Sequence, residues 1–163
     1  MDGRDEVVWL AFVQAENIYR TAMADLRKVD LVEVLREGLN RLPWRRPALA
    51  VLGSSGPEIS SQLLPELFEL ASVSHSLIGE VRKCILRVPG ELLKPQIAVH
   101  VERLTADRQS DYEAYRRIAE LLVIMKDWEL LDYLVNAASM SSDVDIREVA
   151  ADFDGVRTTD RRD

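Results

Sequence analysis

Apolar residues recur at steps of three and four along most of this chain, the spacing of a helix face rather than the alternation of a strand. Residues 5–28 carry Val8, Phe12, Ala15, Tyr19, Ala22 and Leu26 on one such face with no interior Gly or Pro, which predicts a long, core-facing helix. A membrane-surface helix would need a basic polar face, and here Asp5, Glu6, Glu16 and Asp25 are mixed with the basic residues. Asp30 with Glu33 three positions on reads as a helix start, and that helix is expected to end near Leu42, because Pro43 cannot continue it. Pro47 suits the first turn of a short third helix over 48–52. Gly53-Ser54-Ser55-Gly56-Pro57 reads as a loop; it lacks the lysine and spacing of a phosphate cradle, and no strand precedes it.

From Pro57 onward the helices come in pairs. The first of these helices runs through Pro65, which predicts a kink, and its partner over 75–88 carries Ile78, Val81, Ile85 and Val88 on one face. Residues 91–105, 110–125, 128–138 and 143–153 continue the pattern, the second of them opened by the capping box Ser110-Asp111-Tyr112-Glu113. No period-two run predicts a strand, so the expectation is an all-α protein of about eight helices.

Two registers show a period. Val81-Arg82, Tyr115-Arg116 and Ile146-Arg147 place arginines 34 and 31 residues apart, each followed by an apolar residue three positions on. Leu64-Pro65-Glu66-Leu67, Lys94-Pro95-Gln96-Ile97 and Leu131-Asp132-Tyr133-Leu134 align the first helices of the pairs. A period of thirty-odd residues is the mark of stacked helical repeats. Leu63-Leu64-Pro65-Glu66-Leu67 followed by Val81-Arg82 resembles the HEAT-repeat family over about 57–153. The resemblance implies a right-handed stack of antiparallel helix pairs, an α-solenoid; an irregular helical bundle is the alternative. The family usually places an aspartate about six residues before the arginine, where this chain has Ser76, Ser110 and Ser141. The organisation implied is one helical domain over 1–153, with 5–52 as N-terminal capping helices and 57–153 as repeats, followed by a frayed polar tail over 154–163. Equivalent arginines would line up along the stack and need carboxylates between them, so Arg116 is expected to pair with Asp143 or Asp145.

Composition changes this picture little. The 163 residues are 47% hydrophobic and 30% charged with a net charge of −7, which fits a globular chain and argues against a broad nucleic-acid surface. No run approaches the roughly 18 apolar residues of a membrane span. The charged start, Met1-Asp2-Gly3-Arg4-Asp5-Glu6, is not a secretory signal, and the lone Cys84 forms no intrachain disulfide; a cytoplasmic location is expected.

Candidate chemistry is sparse. His75 and His100 are the two histidines, no Cys/His spacing supplies a zinc site, and Cys84 lies on an apolar helix face where a thiol is inert. Asp143 and Asp145 read as helix-start carboxylates rather than a catalytic pair. The chain is therefore read as non-enzymatic, with no catalytic, cofactor-binding or metal-binding residue assigned. What the resemblance implies is a scaffold or adaptor that binds another protein through its second helices. Lys83, Arg87, Arg117 and Glu120 are candidate contacts there, and Trp44, Arg45 and Arg46 form a second candidate patch on a loop. Two other readings stand beside it: a small acidic inhibitor that blocks a partner's active site, and a HEAT-like enzyme acting on nucleic acid or a chromophore.

Overall fold

The computed structural model describes residues 2–107 and 111–156. Among them lie ten helices and no strand: α1 (Gly3–Leu26), α2 (Leu31–Asn40), α3 (Leu42–Ser54), α4 (Pro57–Ser61), α5 (Leu64–Ala71), α6 (Ile78–Leu86), α7 (Gly90–Ala106), α8 (Tyr112–Met125), α9 (Trp128–Ser139) and α10 (Val144–Phe153). The all-α expectation holds.

Local chemistry explains most boundaries. Asp30, Asp111, Asp127 and Asp143 stand at the starts of α2, α8, α9 and α10, and each carboxylate accepts a hydrogen bond from a backbone amide of the first turn. Such a cap is worth about 1 kcal/mol. Asp111 caps α8; Ser110 of the expected capping box lies outside the described residues. So does most of the expected tail, from residue 157 onward. Lys126, at φ 55°, closes α8 in the left-handed region and lets α9 begin two residues later.

Two proline expectations are corrected. Pro65 does not lie inside one continuous helix: it sits in the first turn of α5, after the chain has turned at Gln62 and Leu63 beyond α4. A proline lacks the amide that an interior turn would need, and a helix start leaves that amide unused. Likewise Pro43, not Pro47, occupies the first turn of the third helix. Arg41 takes extended angles and ends α2, and α3 begins at Leu42, well before the expected 48–52. Pro47 therefore lies inside α3.

The core runs through α2 to α10. Leu39, Leu52, Leu63, Phe68, Ile85, Ile97, Ile118 and Leu131 are all fully buried along it. α2 packs on α3 and α5, α5 on α6, α7 and α8, α7 on α9, and α10 on α8 and α9. The α2–α3 crossing is close: a Cβ added to Gly38 would stand 2.9 Å from the Ala48 Cβ.

The first helix departs most from expectation. None of its residues is buried, so the stripe Val8–Phe12–Ala15–Tyr19 does not face this core. Only Met23 and Leu26, in its last turns, pack partly against it. The reason lies in the residues off the stripe. Val7, Trp9, Leu10 and Val13 are apolar as well, so residues 7–13 form a continuous apolar run with no polar side. α1 is therefore not amphipathic over this stretch, and a helix apolar all round needs cover on more than one side. A 24-residue helix is about 36 Å long, and the body meets only its end.

Candidate interaction surfaces

The second-helix surface proposed from the sequence is brought together, but largely by its own internal contacts. Arg82 on α6 reaches α8, where its guanidinium donates to Glu120 Oε2 at 2.6 Å and to the Arg117 carbonyl at 3.2 Å. Arg117 donates to both Glu120 oxygens, at 2.7 and 2.9 Å, and its Nε to Ser74 Oγ. Two guanidiniums thus hold one carboxylate. Burial works against the Glu120 charge, and the bonds from Arg82 and Arg117 outweigh it, so its pKa lies below the usual carboxylate value. Arg87 donates to the carbonyls of Gly53 and Ser55, closing α6 onto the turn after α3. Lys83 is exposed on α6.

The arginine series is partly as expected. Arg116 pairs with a carboxylate on α10, but the partner is Asp152 at 2.6 Å, not Asp143 or Asp145. Those two stand at the other end of α10, where the Asp143 carboxylate accepts from the Asp145 amide. Arg147 folds back on its own unit and donates to the Ser141 carbonyl. So Arg82 reaches from α6 to α8, and Arg116 from α8 to α10. The first helices carry a similar series: Arg36 on α2 pairs with Glu66 on α5, and Glu69 on α5 with Arg103 on α7.

These pairs differ in worth. The side chains of Arg82 and Glu120 are 16% and 29% exposed, those of Arg116 and Asp152 33% and 54%. A double-mutant cycle on Arg82→Ala and Glu120→Ala is expected to give a coupling of about 1.5 kcal/mol: Glu120→Ala leaves the mostly buried Arg82 guanidinium without its carboxylate, while Arg82→Ala leaves Glu120 still held by Arg117. The cycle on Arg116→Ala and Asp152→Ala is expected to give less than about 1 kcal/mol. Equal couplings would contradict the burial argument.

A polar cleft of about 260 Å³ lies between α5 and α7, lined by Glu69, Ser72, His100, Arg103 and Asp107. Ser72 Oγ donates to the Phe68 carbonyl at 2.8 Å. Its oxygen can then accept from His100 Nε2, 3.2 Å away, which leaves Nδ1 to accept from the Arg103 guanidinium at 3.2 Å. The serine proton is thus committed to the backbone, and the imidazole does not face it as a base. Burial, and then the Arg103 charge, push the His100 pKa down to about 4. The chain Ser72–His100–Arg103–Glu69 joins α5 to α7. Cys84 is buried, and burial raises its pKa, as expected of an inert thiol. Among the described residues no group of three His, Cys, Asp or Glu side chains could hold a metal ion, and no helix is long and apolar enough to cross a membrane.

The Trp44 patch is helical rather than a loop. Trp44, Arg45 and Arg46 lie in the first turns of α3; the Arg41 guanidinium stands 4.4 Å from the Trp44 ring centre, and Arg45 Nε donates to the Leu39 carbonyl. Trp44 and Arg46 are exposed.

Among the described residues, exposed large apolar side chains cluster on α1. Trp9 is 55% and Phe12 60% exposed, their rings stacked 5.6 Å apart, with Val7, Val8 and Leu10 open beside them. Beneath the helix's second half, a groove of about 510 Å³ separates α1 from the corner of α3 and α4. No family model matches this chain, and no curated protein or solved structure matches it. The surfaces therefore have to be read from their own chemistry. Of these, α1 is the one that the sequence reading passed over. The signal was present in the unbroken run Val7–Val13, hidden by attention to the one stripe that fitted a helical period.

Proposed function

We propose that this protein is a non-catalytic helical binding module whose body is a stack of helix pairs and whose docking element is α1. The pairs are α2–α3, α5–α6, α7–α8 and α9–α10. Contacts within one layer run α2 to α5 to α7 to α9; in the other, α3 packs on α6 and α8 on α10, while α6 reaches α8 through the Arg82–Glu120 bridge, an order that supports the reading of a HEAT-like stack. The Arg82–Glu120 and Arg116–Asp152 bridges run along the second layer.

The observation that carries the docking role is the exposure of α1: a 24-residue helix without one buried residue, apolar on every side over 7–13. A patch of that size on a monomer marks a binding surface. The second-helix surface carries less of the reading, because Arg87, Arg117 and Glu120 already bind the protein's own groups.

The test separates a docking helix from a structural one. With the chain diluted until it is monomeric, Trp9→Ser/Phe12→Ser is expected to change unfolding stability by no more than about 0.5 kcal/mol, as for surface substitutions. A loss of several kcal/mol in denaturant melts would mean that α1 packs on its own core in solution, and would remove the docking role.

A further inference from the structure

The chain holds an exposed apolar segment and a partly apolar groove that cannot meet within one molecule. One is the segment Val7–Val13, exposed all round. The other is the groove between the second half of α1 and the body, whose apolar wall is Tyr19, Met23, Leu26, Leu31, Val51 and Ile59 and whose rim carries Glu16, Arg20, Arg27, Ser54 and Ser55. Segment and groove lie along the same helix, which has no interior Gly or Pro at which to fold back. We propose that the protein is a homodimer in which two α1 helices lie antiparallel and the Val7–Val13 segment of each copy fills the other's groove. The proposal rests on the reading of α1 as the docking element and names the partner as a second copy of this chain.

Three observations converge on that occupant. The first is coverage. A simple helix pair covers one face, whereas a segment lying in the groove meets the partner's α1 on one side and its α3–α4 corner on another. That suits a helix stretch apolar in every direction.

The second is area. Val7, Val8, Trp9, Leu10, Phe12 and Val13, with Ile18 and Tyr19 further along, are each 36% to 67% exposed. Together they leave on the order of 800 Å² of side-chain surface, the amount each partner buries in a standard stable interface. A two-fold axis makes the contact twice, since each copy supplies both a segment and a groove.

The third is charge. Asp2, Asp5 and Glu6 outweigh Arg4 at the start of α1, while between residues 20 and 28 Arg20, Arg27 and Lys28 outweigh Asp25, although the last turn of the helix itself holds no basic residue. Antiparallel pairing brings each acidic start alongside the other copy's basic end; parallel pairing would set like against like. Arg20 and Lys28 already pair within their own chain, with Glu16 and Asp25, at exposed positions where a second carboxylate can share them. The helix dipoles favour the same antiparallel order.

Sedimentation equilibrium on the full chain, from low to high micromolar, tests this. The wild type is expected to run at twice the chain mass, and Trp9→Ser/Phe12→Ser at one chain mass with its helix content retained by circular dichroism. Asp5→Lys/Glu6→Lys is expected to weaken the dimer more than about tenfold, and adding Arg27→Glu/Lys28→Glu to restore it. A dimer unaffected by Trp9→Ser/Phe12→Ser overturns the proposed interface. Loss without restoration overturns the antiparallel order. A wild type that stays monomeric overturns self-pairing. In that last case, unchanged monomer stability of Trp9→Ser/Phe12→Ser leaves α1 a docking element for a different protein, and a large stability loss removes both readings.

Discussion

Phe68→Ala is expected to destabilise the protein by about 4 kcal/mol, within the range for deleting a buried aromatic ring. Phe68 is 1% exposed, on α5, the helix that packs against α2, α6, α7 and α8 at once. Its neighbours belong to several helices, so no single one can settle into the space left behind, and the cavity persists. The ring also stands 5.3 Å from the His100 imidazole. Removing it admits water beside His100 and weakens the burial that holds the histidine neutral. Phe68→Ala should therefore also flatten the pH dependence of stability, whereas Phe68→Leu, which keeps most of the volume, should cost less than about 1.5 kcal/mol. Urea titrations at pH 7 and pH 5 measure both effects. A loss below about 1 kcal/mol would mean that the helices around Phe68 collapse freely.

Acidification itself provides the second large effect. His100 is buried, and its pKa lies near 4 in the folded protein against an ordinary 6.5. In the unfolded chain it takes up a proton as the pH falls through 6.5; in the folded protein it does not until about 4. Between those values the unfolded state binds more protons, so stability falls as the pH falls, by about 3 kcal/mol across the window. Carboxylates act lower. Glu120 and Glu113, held below the ordinary value by bonds from Arg82 and Arg117 and from Ser74, withdraw their contribution only as the pH drops below about 4.5. The interval from 6.5 to 4.5 thus reports His100. His100→Gln keeps a donor for Ser72 and an acceptor for Arg103 but cannot titrate. It is expected to abolish the slope in that interval, and an unchanged slope in the variant would place the titration on another group.

Secondary structure was legible because it is local. The three- and four-residue spacing in 91–105, 110–125 and 128–138 marks the faces that α7, α8 and α9 bury; Asp30 caps the helix it was read to cap, and of Ser142 and Asp143, both open as the cap of the last helix, Asp143 is the one that serves. The amide that a cap binds lies two or three residues away, so a short window of sequence holds the whole interaction. The role of a proline is also local, but it depends on where the helix begins. Pro65 and Pro47 exchanged the expected roles because Leu63 and Arg41 ended the preceding segments.

What the sequence by itself determined is an all-helical chain, its caps, and most of the core-facing rows from α2 to α10. The tertiary structure alone decided which charges meet. Arg116 finds Asp152 rather than Asp143 because the offset between α8 and α10, not their sequence spacing, sets which carboxylate lies within reach. It turned Arg117 and Glu120 from candidate contacts into an internal pair bridged to Arg82. It also decided the place of α1. Periodicity shows that a helix has an apolar face but not what that face meets, and a helix whose apolar run closes around its whole circumference finds, in a body already packed from α2 to α10, nowhere to put it.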